Sequence, residues 1–321
     1  MAVEHRERLP ALPTAEVERA KDYARASRAA STRRVYESDW RHFAAWCAER
    51  NAQTLPAEAT VVAVYLGTEA DRGLSPLTIG RKLAAIGWIH RQHGFQPPQR
   101  TELGIAIASV MSGIRRSEHA APIRKAAADA DITRDILRVI TGDGLRDIRD
   151  RAVIGFGMLS AMRRSELVAV KVEDLVRTPE GILVTVRKSK GDHEGGGQVI
   201  PVPNGRRIEP VRLLDAWLAA AGITDGVVFR RVSRCGLRVR PEAMSDQAVA
   251  RIVQTRVAAA GYDPSEYAGH SLRAGFLTSA ARAGASIFKM REVSRHKSLD
   301  VLAGYVRDAQ AFTDHAGDDF A

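Results

Sequence analysis

Residues 270–305, HSLRAGFLTSAARAGASIFKMREVSRHKSLDVLAGY, decide how the second half of this chain is interpreted. Two short basic motifs, HSLR at 270–273 and HKSL at 296–299, are followed by a single tyrosine, Tyr305. The stretch is rich in alanine and predicts three helices, at about 271–283, 286–294 and 298–304. Cationic side chains therefore stand at the starts of consecutive helices, with a tyrosine directly after the last one.

Two further basic segments lie upstream of this stretch. One is RRSE at 163–166, at the start of a predicted helix, and the other is the glycine-rich RKSKGDHEGGG at 187–197. Apolar residues alternate with a period of two at 182–186 and again at 199–202, which predicts a β-hairpin around the second segment. We predict further helices at about 133–142, 147–160, 164–170, 208–221 and 245–260. The second half is therefore expected to be mostly helical with a small antiparallel sheet.

In this order and spacing, the motifs resemble the tyrosine recombinase (phage integrase) family, and most closely its Cre-like members. The resemblance extends to the N-terminal half, where STRRVYESDWRHFAAWC at 31–47 is similar to the start of the family's core-binding domain. It implies a mainly α protein, with an all-helical N-terminal core-binding domain and a mostly helical catalytic domain. Its implied site consists of the nucleophile Tyr305, the phosphate-binding Arg163 and Arg273, the hairpin lysine Lys190, the histidines His270 and His296, and the supporting acid Glu166.

The chemistry of these residue types agrees with the implied roles. A phosphodiester under attack spreads negative charge over its non-bridging oxygens, and arginine donates paired hydrogen bonds to such oxygens. Tyrosine has an ordinary pKa of about 10, so Tyr305 needs nearby cations or a base, and His270 is the expected proton acceptor. Lys190 is expected to protonate the leaving 5′-oxygen, with Lys188 as the alternative. Taken singly, each residue also fits a solvated surface charge or a packed ring.

The N-terminal half has the apolar spacing of four helices, at about 31–49, 57–71, 77–92 and 101–115. A polar stretch follows at 115–130, which is typical of a linker. We predict a core-binding domain at 14–116, a linker at 117–130 and a catalytic domain at 131–321. Outward-facing basic residues on two of the helices are the predicted DNA contacts: Arg33, Arg34, Arg41, Arg81, Lys82 and Arg91.

Composition narrows the class of protein and of partner. Lys and Arg number 48 against 38 Asp and Glu in 321 residues, which gives a net charge of +10 and suits a polyanionic partner. The phosphate-binding, dinucleotide-binding and zinc-binding motifs are missing, and the two cysteines lie far apart, so we expect no metal and no cofactor. Neither a signal-like N-terminus nor a long apolar run occurs, which predicts a cytoplasmic, nucleoid-associated protein without a membrane span.

The resulting prediction is a site-specific DNA recombinase that grips a duplex as a C-shaped clamp. The resemblance implies cleavage and rejoining through a 3′-phosphotyrosine without metal or ATP. It also implies one dimer per site and a homotetramer on two paired sites in double-stranded DNA. The alternatives are a type IB topoisomerase, a hairpin-telomere resolvase and a non-enzymatic DNA-binding clamp.

The C-terminal segment 308–321 has four acids and no Lys or Arg, with Phe312 and Phe320 among small residues. Its charge disfavours contact with DNA, while its rings favour docking on protein. By the same resemblance, we expect it to pack on a neighbouring protomer. A segment that folds back on its own basic surface, or stays disordered, is the alternative.

Overall fold

The computed structural model describes residues 13–117, 125–187, 197–309 and 311. Its chain divides into two compact units, Met1–Ile123 and Arg124–Ala321, each with its own hydrophobic core. Both are mainly helical, which confirms the predicted fold class. The domain bounds given above stay a prediction. Among the described residues, none of the helices combines the length and the apolarity that crossing a membrane requires.

The first unit is built from helices, and its first helix was not predicted. Its elements are α1 (Thr14–Ala26), α2 (Ala30–Ala48), α3 (Ala59–Asp71), α4 (Pro76–Gln92), a 3₁₀ turn (Pro98–Arg100) and α5 (Gly104–Arg116). The core places the ring of Tyr65 against Phe43 and Trp46, with centroids 5.0 and 5.4 Å apart. Helix α4 begins where Ser75 Oγ accepts the backbone N–H of Thr78, which satisfies one of the free donors of the first turn.

Lys82 on α4 faces the core, so the prediction that it points outward is wrong. Its side chain is 6% exposed, and Nζ donates to Glu69 Oε2 at 2.9 Å and to Tyr65 Oη at 3.1 Å. Burial disfavours the charged amine, but the hydrogen bonds to Glu69 and Tyr65 outweigh it and raise the pKa of Lys82. Ile79, Lys82 and Ile86 form the buried face of α4. Lys82 can lie on this face because Glu69 and Tyr65 on α3 pair with its amine.

The second unit combines helices with two small antiparallel sheets. Its helices are α6 (Ala130–Val139), α7 (Leu145–Leu159), α8 (Arg164–Leu167), α9 (Pro210–Ala221), α10 (Asp246–Ala259), α11 (Ser271–Arg282), α12 (Ile287–Ser294) and α13 (Leu299–Ala309). Its strands are β1 (Leu175–Thr178), β2 (Gly181–Val186), β3 (Gln198–Pro203), β4 (Arg230–Val232) and β5 (Val239–Ala243).

The predicted hairpin is confirmed as β2 and β3, which pair antiparallel with Val184 opposite Ile200. Strand β1 adds a third strand to that sheet, in the order β1-β2-β3. Strands β4 and β5 form a separate hairpin that the sequence did not predict, because their residues are rich in arginine and show no alternation of apolar side chains.

Two packing features surround α11: one joins it to α12 and α13, and the other joins it to the segment that enters this unit. A small apolar cluster of Leu277, Met290 and Leu302 joins α11, α12 and α13, and Tyr305 packs against it. On the other side of α11, Gly275 faces the backbone at Ala128, whose oxygen lies 1.8 Å from where a Cβ would be. Only glycine allows this close approach, which fixes the segment entering the unit against α11.

Candidate active site

Arg163 stands at the N-terminal cap of α8 and is held by an acid one turn later. Its Nη1 donates to Glu166 Oε1 at 2.6 Å, and its backbone N–H donates to Glu166 Oε2 at 2.8 Å. Glu166 is 3% exposed, and burial disfavours its charge. The charges of Arg295 and Arg163, together with the hydrogen bonds from Arg163, outweigh that effect and lower the pKa of Glu166. The carboxylate therefore stays ionised and fixes the guanidinium group of Arg163 at the start of α8.

Arg273, in the first turn of α11, is 5% exposed and makes three contacts. Nη1 donates to the carbonyl of Ala161 at 2.5 Å, and Nη2 donates to the carbonyl of Ser294 and lies 3.3 Å from His296 Nδ1. Burial, and then the charges of Arg163 and Arg295, lower its pKa to about 10. Arg273 is thus a buried cation whose position is set by backbone carbonyls on two sides.

His296 lies just beyond α12, and its ring orientation follows from its contacts. Nδ1 is 2.9 Å from Ser294 Oγ and 3.3 Å from Arg273 Nη2. Burial, and then the charge of Arg273, lower the pKa of His296 to about 4, so the ring is neutral at neutral pH. An arginine can only donate, so Nδ1 acts as the acceptor. The ring proton therefore lies on Nε2, which becomes a hydrogen-bond donor.

His270 is exposed at the N-terminal cap of α11. Partial desolvation by the surrounding protein, and then the charges of Arg164 and Arg273, lower its pKa. Its neutral form therefore persists to lower pH than that of a free histidine, which suits a group that accepts a proton.

Four of the predicted side chains meet at one cleft of about 490 Å³, whereas Arg163 and Glu166 are not among the residues that line it. His270, Arg273, His296 and Tyr305 line it together, and Tyr305 projects from α13, which packs on α11 and α12. Lys125, which the sequence analysis did not single out, also lines the cleft, and its Nζ donates to the carbonyl of Ser265 at 2.6 Å. Positive charge is concentrated here: after burial, the charge of Arg273 lowers the pKa of His296, and the charge of Arg163 lowers the pKa of Arg273.

The other predicted residues are distributed differently. Lys190 and its alternative Lys188 lie outside the described residues. In the first unit, Arg34, Arg41, Arg81 and Arg91 are exposed and Arg33 is half-buried. Arg81 also donates to Asp39 Oδ1 at 3.1 Å. Contact of these five arginines with DNA stays a prediction.

Two residues that the sequence analysis missed complete the cluster. Ser294 is fully buried and contacts both Arg273 and His296. Arg295 is 6% exposed, and its Nη2 donates to Glu166 Oε2 at 2.7 Å. Both residues stand close to His296 in the sequence, but Arg273 and Glu166, which they contact, are distant along the chain, so no local pattern reveals them.

Comparison with known proteins places these features in a family. Residues 129–311 match the model of the phage integrase family. The chain is 34% identical over 292 residues to the integrase/recombinase XerD homolog of Selenomonas ruminantium, across 90% of this chain and 85% of that protein. It is 27% identical over 293 residues to the Cre recombinase of Escherichia phage P1, across 85% of this chain and 82% of that protein.

Solved structures show the same fold. A lambda integrase dimer bound to a COC′ core site matches with a TM-score of 0.58 and 18% identity, over 91% of this chain and 76% of that one. The XerH recombinase bound to a palindromic difH substrate matches with a TM-score of 0.57 and 17% identity, over 79% of this chain and 68% of that one.

Proposed function

The chain belongs to the phage integrase family and is a tyrosine-type site-specific recombinase, and we propose that it cuts and rejoins DNA through a 3′-phosphotyrosine on Tyr305. The observation that carries this proposal is the single cleft that Tyr305 shares with Arg273, His270 and His296. A nucleophile, cations for a phosphate and a neutral histidine base stand together there, as transesterification at a phosphodiester requires.

Cleavage is a balanced exchange of one phosphodiester for another. The phenol oxygen of Tyr305 attacks the phosphorus, its proton passes to His270, and the bond from phosphorus to the 5′-oxygen breaks. That oxygen takes a proton from Lys190, or from Lys188 as the alternative, and leaves as a 5′-hydroxyl. Rejoining is the reverse reaction with a 5′-hydroxyl from the partner strand. The covalent linkage conserves the energy of the broken bond, so no step draws on ATP or a metal.

The cations act on the charge that develops at the phosphate. Arg163 and Arg273 are aimed at its non-bridging oxygens, and the Nε2–H of His296 donates to one of them. Glu166 and the carbonyl of Ala161 hold the two guanidinium groups before DNA arrives. Donors that are already oriented stabilise the transition state without the cost of reorganising during the reaction.

The proposed substrate is double-stranded DNA that carries a specific recombination site. The exposed arginines of the first unit, together with the net charge of +10, suit contacts with the phosphate backbone. Two protomers bind each site, and four assemble on two paired sites. The lambda integrase and XerH structures, both solved with recombination-site DNA, support DNA as the partner. A DNA substrate places the protein in the cytoplasm with the nucleoid.

The test uses duplexes that the purified protein selects from a random-sequence library. Each selected duplex is nicked beside the presumed cleavage position, so that the short 5′-hydroxyl strand diffuses away and cleavage cannot reverse. We expect a protein–DNA adduct that survives denaturation, in which the protein is linked to the new 3′ end of the cleaved strand. Recombination between two labelled duplexes is then measured. Binding without an adduct would identify a non-enzymatic clamp, and relaxation of supercoils without exchange would identify a topoisomerase.

A further inference from the structure

Arg295 occupies a backbone conformation that disfavours its own side chain. It caps the C-terminus of α12 with φ 57° and ψ 41°, in the left-handed region, where a Cβ crowds the following carbonyl. Such strain persists only where the surrounding structure holds it, and it is found most often at functional sites. The contacts of the turn formed by Ser294, Arg295 and His296 must therefore hold this conformation.

The side chain of Arg295 is also placed where an arginine is unfavourable. It is 6% exposed, and its Nε and Nη1 have no hydrogen-bond partner within the described part of the chain. Burial of a charge with donors left unpaired costs free energy, and apolar residues often replace buried ion pairs without loss of stability. A contribution to fold stability therefore does not explain why an arginine occupies this position.

The ion pair that Arg295 forms within the described residues leads to Arg163. Arg295 Nη2 donates to Glu166 Oε2 at 2.7 Å, and the same carboxylate accepts from Arg163 Nη1 at 2.6 Å. Glu166 thus joins the cap of α8, which presents Arg163, to the turn after α12. Because both side chains of the Arg295–Glu166 pair are almost fully buried, water competes little for this link.

Ser294, the residue before Arg295, contacts the other two proposed phosphate ligands, Arg273 and His296. The carbonyl of Ser294 accepts from Arg273, and Ser294 Oγ lies 2.9 Å from His296 Nδ1. A movement of this turn therefore displaces Arg273 and His296 together. A movement of Glu166 displaces Arg163.

We propose that Arg295 is a positioning residue for strand cleavage: by tying the 294–296 turn to Glu166, it holds Arg163, Arg273 and His296 in register at one phosphate. This proposal rests on the proposed function, since it assumes that these three side chains bind the scissile phosphate. Arg295 itself is not among the side chains that line the cleft around Tyr305. Its effect passes through its neighbours.

The test compares Arg295→Met, Arg295→Lys and a matched control, Arg291→Met. Arg291 lies one turn earlier on α12, is exposed, and loses the same charge. Adduct formation on the nicked duplex is measured in single turnover at saturating protein, so that affinity does not enter the rate. Displacement of reacting groups by about 1 Å costs about 10²-fold in rate, which is the loss expected for Arg295→Met. Arg295→Met leaves Glu166 buried with one partner fewer, so we expect a lower melting temperature but little change in DNA affinity. We expect Arg295→Lys to recover part of the rate and Arg291→Met to cleave at the wild-type rate.

A spectroscopic readout separates positioning from a general loss of structure. The ¹⁵N signals of the His296 ring, assigned with a His296→Gln variant, report which nitrogen carries the proton. We expect Nδ1 to be unprotonated in the wild type and in Arg291→Met, and a mixture of tautomers in Arg295→Met.

Three outcomes would overturn the proposal. They are a wild-type rate in Arg295→Met, equal losses of rate and affinity with a lower melting temperature, and a slow rate with unchanged His296 signals. Wild-type cleavage is recorded in the same assay, so failure of the proposed function itself would be seen separately, as the absence of any adduct.

Discussion

Arg273 Nη1 donates to the backbone carbonyl of Ala161 at 2.5 Å, which joins α11 to the turn that precedes Arg163. Ala161 has φ 48°, so this turn adopts a left-handed conformation that is uncommon for a residue with a Cβ. The two predicted phosphate-binding arginines are therefore coupled through two residues of backbone. Fixing one guanidinium group constrains the other.

Replacement of either arginine by lysine is expected to affect chemistry far more than binding. An ammonium cannot reproduce the paired hydrogen bonds of a guanidinium, so Arg273→Lys and Arg163→Lys should each lose about 3 to 4 kcal/mol of transition-state stabilisation. Adduct formation at saturating protein and the DNA dissociation constant are measured side by side. If rate and affinity fall by equal factors, these arginines are only phosphate anchors.

The burial of Lys82 changes which residues should contribute to DNA affinity. Each phosphate neutralised by a protein cation contributes about 0.9 to the slope of log K against log salt. Arg41→Met, which removes an exposed cation of α2, should reduce that slope by about 0.9, whereas Lys82→Met should leave it unchanged. Titrations at several salt concentrations measure both slopes. A reduced slope in folded Lys82→Met would show that Lys82 reaches DNA after all.

His90 makes the stability of the first unit depend on pH. Its Nε2 accepts the backbone N–H of Ala57 at 2.9 Å, and its Nδ1 lies 2.8 Å from the carbonyl of Ile86, so the buried ring is neutral. Burial lowers its pKa below the ordinary value of 6.5. The unfolded chain therefore binds the proton more readily, and stability falls as pH drops below about 6.5, by up to about 1.4 kcal/mol per pH unit.

The measurement of this effect is urea unfolding followed by tryptophan fluorescence between pH 7 and 5. Three of the four tryptophans, Trp40, Trp46 and Trp88, lie in the first unit and report on it. The exposed His93 supplies the matched control, since His93→Gln should keep most of the pH dependence. A wild-type first unit that is equally stable at both pH values would contradict the assignment.

Assembly on two paired sites is expected to need the acidic C-terminal segment. Deletion of residues 309–321 removes Phe312 and Phe320, the rings proposed to dock on a neighbouring protomer. Binding to one site should survive, because the segment carries no cation for DNA, while pairing of two sites should fail. Gel-shift titrations on one-site and two-site DNA distinguish these steps. Unchanged strand exchange by the truncated protein would exclude docking in trans.

The sequence predicted the fold class and the groups at the cleft because these depend on local patterns. Basic motifs indicated His270, Arg273 and His296, which line the cleft, and Arg163, which caps α8. Alternating apolar residues predicted the pairing of β2 with β3. The orientation of Lys82 could not be predicted in this way. The apolar period leaves the inner face of a helix uncertain by about one residue, and the partners of Lys82 lie on another helix.

Arg295 was missed for a related reason. Its partner Glu166 is 129 residues away, and in the sequence Arg295 stands in a basic run that is typical of a solvated surface. Burial of a charged side chain is set by tertiary neighbours, which a local pattern does not contain. The left-handed backbone at Arg295 gives no signal either, because glycine is the residue expected there.

A comparison of tyrosine variants on the nicked duplex shows whether Tyr305 forms the covalent bond to DNA. Tyr305→Phe is set beside Tyr267→Phe, which removes the hydroxyl of another tyrosine in the same unit. We predict that wild type and Tyr267→Phe form the adduct, that mass spectrometry places the 3′-phosphate on Tyr305, and that Tyr305→Phe binds DNA with no adduct. A persistent adduct in Tyr305→Phe would contradict the account.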